Sequence, residues 1–245
     1  MIRDYFDACL QQLSLVAEES SGEIQAAAEA VAEAIAGDRG FFLFGSGHSA
    51  LIAREAFWRA GGLAPALPIP DPMAGDVERL SGFAARLLGH YDLRPGGAII
   101  VISNSGINHL PVEVAIECKA RGLTVIAITS LAHSQSVAAR HPSGKKLADL
   151  ADIVVDTHGV TGDAALELAG VDLKVGPTST VIGVAIVEAI TSQAAARLLE
   201  RGIQPPVLIS SNMPGGDAHN RELAQRYRPQ LIRYEVPTVD APAQR

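Results

Sequence analysis

Aromatic residues make up only 4% of this 245-residue chain, with a single tryptophan. Any core it builds is therefore packed mainly with Ala, Val, Leu and Ile. Cysteine is scarcer still. Cys9 and Cys118, each in a stretch that reads as helix, are too few for a disulfide framework, and burial is their expected role. Positive charge is also short: 20 Lys and Arg against 27 Asp and Glu leave a net charge of -7. That balance excludes the basic footprint of a nucleic-acid or anionic-membrane binder. It does not exclude phosphate binding, provided the donors are local and mostly backbone N–H groups. No apolar run reaches the ~20 residues that cross a bilayer. Met1-Ile2-Arg3-Asp4-Tyr5 lacks the basic-then-apolar pattern of a signal peptide. A soluble, cytoplasmic protein is expected.

What is present suits a globular enzyme. Hydrophobic residues are 48% and charged residues 19%, enough for a sizeable core. The length fits one large α/β domain or one domain with an appendage. Apolar positions Tyr5, Phe6, Cys9, Leu10, Leu13 and Val16 recur at helical spacing, and Ser20-Ser21-Gly22 divides that helix from a second one ending at Ala36. Continuous apolar runs at 41–44, 98–102, 124–128 and 153–155 read as strands buried on both faces, with a shorter strand in 64–69. Helices are expected at about 50–60, 76–90, 109–121, 178–200 and 217–228. Alternating strands and helices give βαβ units and a parallel sheet. Right-handed crossovers then set the loops after the strands along one edge.

Two of those loops carry chemistry. Gly45-Ser46-Gly47-His48-Ser49 leaves the first strand for a helix, where glycines allow close backbone approach and a helix start offers free N–H groups. Taken alone it fits an anion, a dinucleotide turn of the Gly-x-Gly-x-x-Ala type, or a tight turn with no ligand. Ser103-Asn104-Ser105-Gly106 follows the next strong strand, with Asn108 near the cap of the helix beyond. The pair of loops suits a small phosphorylated ligand. Asp71, beyond two prolines, is a poor ribose ligand for a dinucleotide.

These residues resemble the sugar isomerase (SIS) family, which carries Gly-x-Gly-x-Ser after its first strand and Ser-x-Ser-Gly-x-Thr after a later one. Asn108 stands where that family usually has Thr. The likeness runs from about 40 to 200. It is nearest the UPF0309-like branch, which has carried a phosphoheptose isomerase label, through 59–62, 78–82 and Gly215-Gly216-Asp217-Ala218-His219-Asn220. The resemblance implies a three-layer sandwich, a five-stranded parallel sheet with helices on both faces and extra N- and C-terminal helices. The expected organisation is helices over 1–36, a sugar-phosphate domain over 37–235 and a flexible tail over 236–245.

By the same resemblance, Ser46, Gly47, His48, Ser49, Ser103, Asn104, Ser105, Asn108, Thr178 and Ser179 bind substrate. Glu188 matches the catalytic glutamate of a glucosamine-6-phosphate synthase isomerase domain. Glu78 matches, in placement, a glutamate of the N-acetylmuramic acid 6-phosphate etherases. His219 matches a ring-opening histidine that several members take from a neighbouring subunit, which implies a homodimer. Bland roles stand beside each: a solvated helix face for Glu188, a helix start for Glu78, and a capped turn around Asp217 for His219. Phosphoheptose isomerases have Glu where this chain has Arg59, a departure from their pattern; Arg59 either touches the substrate or pairs with Glu55 at i, i+4, the pair being expected. His90, His109, His133, His141 and His158 show no ligand spacing, so neither metal nor cofactor is expected.

The expected activity is removal of the C2 proton from an aldose 6-phosphate, N-acetylglucosamine 6-phosphate being favoured. Elimination of the C3 substituent (a lyase or dehydratase) or aldose–ketose isomerisation follows. A non-catalytic sugar-phosphate sensor is the second reading, and a nucleotide-dependent oxidoreductase the third.

Overall fold

The structure is a computed structural model that describes residues 1–71 and 73–231, with side chains as far as Tyr227. The tail expected over 236–245 lies outside the described residues.

The apolar runs form the sheet. Strands β1 (Phe41–Gly45), β2 (Ala66–Ile69), β3 (Ala98–Ile102), β4 (Thr124–Thr129) and β5 (Ile153–Asp156) pair in the order β2-β1-β3-β4-β5. Every pairing is parallel. Period-two alternation sends neighbouring side chains to opposite faces. Phe41, Leu43, Ile100, Ile102, Ile126 and Ile128 join one core, and Phe42, Phe44, Ile99, Val101 and Val125 the other. A strand buried on both faces has no polar side, which is why the runs are continuous.

Helices cover both faces. Helices α1 (Ile2–Glu19), α2 (Ser21–Ala36), α3 (Ser49–Glu55) and α7 (Ser179–Glu200) pack on the first core. Helices α4 (Phe83–Leu88), α5 (His109–Ala120) and α8 (Gly216–Leu231) pack on the second, and α6 (Leu131–Ser136) follows β4. Ala27, Ala28, Val31 and Ala32 of α2 meet Ile186, Ile190 and Ala194 of α7 in the first core. Small side chains there let the backbones approach, which explains a core poor in aromatics. Helix α7 is long and apolar enough by length and composition to cross a membrane, contrary to the expectation that no run would be. Its buried stripe, Ile182, Ile186, Val187 and Ile190, faces the core instead.

Cys118 is fully buried on α5, and burial pushes its thiol up to about 12. It stays protonated at pH 7–9, and thiolate is the reactive form. A chromogenic thiol reagent at pH 8 should therefore leave Cys118 unmodified until the chain is unfolded. Labelling of Cys118 in the native protein at the rate of a free thiol would contradict this burial.

Two expectations are corrected and one element is new. The helix expected over 76–90 is a helix only at α4. Turns occupy 73–79, and Gly75 and Gly82 adopt φ of +99° and +84°. The helix expected over 50–60 stops at Glu55, with Trp58 at φ +52°. An antiparallel hairpin not foreseen, β6 (Ala164–Glu167) with β7 (Lys174–Pro177), precedes α7.

Candidate functional site

The two loops leave paired strands. Gly45 at the end of β1 is in register with Ile102 at the end of β3, so the loops start about 5 Å apart, one strand spacing. Both emerge at the same sheet edge.

The first loop is already occupied by a side chain. Asp71, just after β2, accepts from Ser46 Oγ at 2.6 Å, Gly47 N at 3.3 Å and Gly75 N at 2.7 Å. Its other oxygen accepts from Met73 N at 3.1 Å. Ser46 is buried, while His48 at the cap of α3 is exposed. An anion in this loop would share donors with a carboxylate. Two unit charges 4 Å apart at an effective dielectric near 20 interact by about 4 kcal/mol. One neutral hydrogen bond returns about 1 kcal/mol. Repulsion wins, and a dianion doubles it.

The start of α7 is occupied in the same way. Asp163, at φ +71°, accepts from Thr178 N at 3.1 Å, Ser179 N at 2.9 Å and Ser179 Oγ at 2.7 Å. Thr178 is buried and its hydroxyl has no partner among the described residues.

The second loop is open. Ser103 Oγ accepts from Gly106 N at 3.2 Å, which fixes the turn, and Gly106 adopts φ +63°. The loop's carbonyls point inward: Asn104 O takes Ser130 N at 3.0 Å and Gly106 O takes Leu147 N at 2.8 Å. The N–H groups of Asn104, Ser105, Ile107 and Asn108 meet no protein acceptor among the described residues. Asn104 Oδ1 is buried without a donor. Such an acceptor costs about 1–3 kcal/mol, which a ligand hydroxyl would recover.

The turns at 73–79 and 81–82 bridge the two loops. A Cβ on Gly75 would lie 3.3 Å from Gly47 Cα, so the turn rests on the first loop. Farther along, Glu78 O accepts from Leu110 N at 3.0 Å, in the first turn of α5 behind the second loop. Ser81 Oγ lies 2.5 Å from His109 Nδ1, and Gly82 N donates to Glu113 at 2.7 Å. Glu78 is half-buried on this bridge.

Glu188 and His219 are elsewhere. Glu188 sits on α7 about 13 Å along the axis from Ser179, at ~1.5 Å per residue. Its carboxylate is 3.5 Å from Arg59 Nη1, and Arg59 also makes the expected pair with Glu55. His219 Nε2 is 2.9 Å from Val207 O. Helix α8 starts at Gly216, so Asp217 lies within its first turn. Among the described residues no group of three or more His, Cys, Asp or Glu is placed to hold a metal.

Reading the sequence missed Asp71 and Asp163 as occupants of helix starts. By sequence Asp71 reads only as a poor ribose ligand, and Gly162-Asp163 reads locally as a turn. Arg140, which donates from Nη1 to Asn108 Oδ1 at 2.5 Å, was missed as well. Its signal was present: 131–146 holds His133, Arg140, His141, Lys145 and Lys146 and no acid.

Comparison with known proteins agrees with this architecture. The SIS domain profile matches residues 4–130. A UPF0309 protein of Geobacillus thermodenitrificans is 39% identical over 240 residues, 94% of this chain and 96% of that protein. Among solved structures, a phosphoheptose isomerase from Neisseria gonorrhoeae aligns at TM-score 0.57 and 15% identity, over 80% of this chain and 97% of that one. The Vibrio vulnificus NanR protein complexed with ManNAc-6P aligns at TM-score 0.52 and 15% identity, over 94% of this chain and 69% of that one. The chain belongs to the SIS domain family, among the UPF0309 proteins.

Proposed function

We propose that the protein binds an aldose 6-phosphate with its phosphate in the second loop, and removes the C2 proton with Glu78. One observation carries the placement. At the starts of α3, α5 and α7, Asp71 fills the first and Asp163 the last, while ahead of α5 the N–H groups of Asn104, Ser105, Ile107 and Asn108 stay open among the described residues. Backbone N–H groups, Ser105 and the Asn108 amide can hold a dianion there. The sugar then extends toward the first loop, where Ser46, Ser49 and the Asp71 carboxylate suit hydroxyls or an amide N–H. Glu78 lies on the bridge between.

In the open-chain aldehyde, a carboxylate takes the C2 proton and leaves an enolate over C1 and C2. Transfer of the O2 proton to O1 and return of the abstracted proton to C1 gives the ketose. With an N-acetylated amine at C2 that route is closed. The enolate instead expels the C3 oxygen substituent, which leaves with a proton from an acid, and an unsaturated aldehyde remains. The amino-sugar phosphate is the favoured substrate. Glu188 and His219 lie away from the loops in their own chain. Their place in this proposal is across an interface with a second copy, which makes a homodimer part of it. The proposed reaction uses no cofactor, and a cytoplasmic location belongs to the same proposal.

A non-catalytic sensor is the second reading. Engagement of Glu188 by Arg59 and of His219 by Val207 favours it. The dinucleotide reading needs pyrophosphate on the first loop, where Asp71 sits.

Calorimetric titration with N-acetylglucosamine 6-phosphate tests the placement. Ser105→Ala should weaken binding about tenfold, the loss of one charge-assisted hydrogen bond. Asp71→Asn should leave inorganic phosphate binding in place. The reverse pattern, with Ser105→Ala silent and Asp71→Asn altering phosphate affinity, puts the phosphate on the first loop and refutes the proposal.

A further inference from the structure

We propose that Arg140 is a phosphate-binding residue of the second loop, and that with Asn108 it sets a preference for a dianionic phosphate ester over an uncharged group. The inference rests on the placement of phosphate in that loop.

The segment 131–146 is locally basic in an acidic chain, with five basic or titratable side chains and no carboxylate. It is fastened to the loop along its length. Before it, Ser130 N and Thr129 Oγ1 donate to Asn104 O at 3.0 and 3.2 Å. Near its end, Arg140 N donates to Ile107 O at 3.2 Å. Just past it, Leu147 N donates to Gly106 O at 2.8 Å. Within it, Lys146 Nζ donates to Ser134 O at 2.5 Å. These contacts take the Asn104, Gly106 and Ile107 carbonyls and leave the N–H groups of Asn104, Ser105, Ile107 and Asn108 for a ligand. They also hold the Arg140 backbone against the loop.

The side chain follows. Arg140 Nη1 donates to Asn108 Oδ1 at 2.5 Å, and Asn108 is buried. Among the described residues, Arg140 has no carboxylate within ion-pair distance, whereas Arg59, Arg121, Arg197 and Arg201 each have one. Its charge is therefore not neutralised by the fold. A guanidinium has five donors in a rigid fork. One is spent on Asn108, and the others can reach an acceptor beside it. The departure from the usual Thr at position 108 gains a reason here. An amide can accept from Arg140 through Oδ1 and still offer its NH2 to a phosphate oxygen. A threonine hydroxyl would have to accept from the arginine and donate its single proton from one atom on a shorter side chain, whereas the amide accepts at Oδ1 and offers two protons from Nδ2.

The test compares wild type, Arg140→Ala, Arg140→Lys and Lys145→Ala. Each is titrated with N-acetylglucosamine 6-phosphate, N-acetylglucosamine and inorganic phosphate. Lys145 is exposed on the same segment and carries the same charge, so it controls for general attraction. Arg140→Ala should weaken sugar-phosphate and phosphate binding about tenfold to a hundredfold, leaving the unphosphorylated sugar unchanged. Arg140→Lys should fall between, because an ammonium lacks the fork. Lys145→Ala should stay within about threefold, as a screened surface charge. Phosphate binding unchanged in Arg140→Ala, or weakened equally in Lys145→Ala, overturns this inference alone. Failure of the wild type to bind any phosphate overturns the underlying placement as well.

Discussion

Glu78→Gln is expected to keep sugar-phosphate affinity and to lower turnover by about 10²- to 10⁴-fold, the usual contribution of a positioned general base. The substitution preserves shape and removes the group that accepts the proton. The backbone at this position is held independently, because Glu78 O accepts from Leu110 N and neighbouring Val77 is buried. Folding should therefore survive, and the change should appear in kcat rather than in binding. Glu188→Gln should have a smaller effect, because that carboxylate is already paired with Arg59. Steady-state assays on both variants decide. A full rate in Glu78→Gln beside a collapsed rate in Glu188→Gln would assign the base to α7.

Gly45→Ala is expected to weaken sugar-phosphate binding through the sugar end of the site and to lower the melting temperature by about 5–10 °C. The position shows how tightly the first loop is turned. A Cβ at Gly45 would run into the Ser49 carbonyl and lie 2.8 Å from Ala50 N, both backbone atoms of the start of α3. Backbone cannot rotate away as a side chain can. Overpacking of this kind costs about 1–3 kcal/mol, and each kcal/mol lowers the midpoint by about 2–4 °C in a chain of this size. Displacing α3 also moves Ser46 and the Asp71 contacts. Gly47 contrasts with it: its Cβ position is open space, but its φ is +57°. Alanine there costs only the left-handed strain of about 1–2 kcal/mol. Calorimetric scanning of both variants checks the difference. An unchanged midpoint in Gly45→Ala would show that the turn is not as close as described.

The sheet was legible in the sequence because its strands are buried on both faces, so Phe41–Phe44 and Ala98–Ile102 announce themselves by hydrophobicity alone. The loops were legible through their glycines and serines. What they hold was not. Asp71 reaches back across a helix and a strand to accept from the Ser46 hydroxyl and the Gly47 N–H, contacts that no local pattern encodes. Asp163 likewise reaches Thr178 and Ser179 from beyond the hairpin. The same contacts explain the helix expected over 76–90. Asp71 draws Met73 and Gly75 into turns, and left-handed Gly82 lets only Phe83–Leu88 wind. The β6–β7 hairpin escaped notice because Ala164-Ala165-Leu166-Glu167 lacks the β-branched and aromatic residues that mark strands.

Solvent exchange at the sugar carbon tests the account most directly. The protein is incubated in D2O with a panel of aldose 6-phosphates and their unphosphorylated counterparts, and the C2 proton is followed by NMR. The account predicts loss of the C2 signal for at least one phosphorylated sugar, amino sugars first, and retention for every unphosphorylated one. Retention of the C2 proton in a sugar phosphate that demonstrably binds, throughout the panel, would contradict it and leave the protein a sensor.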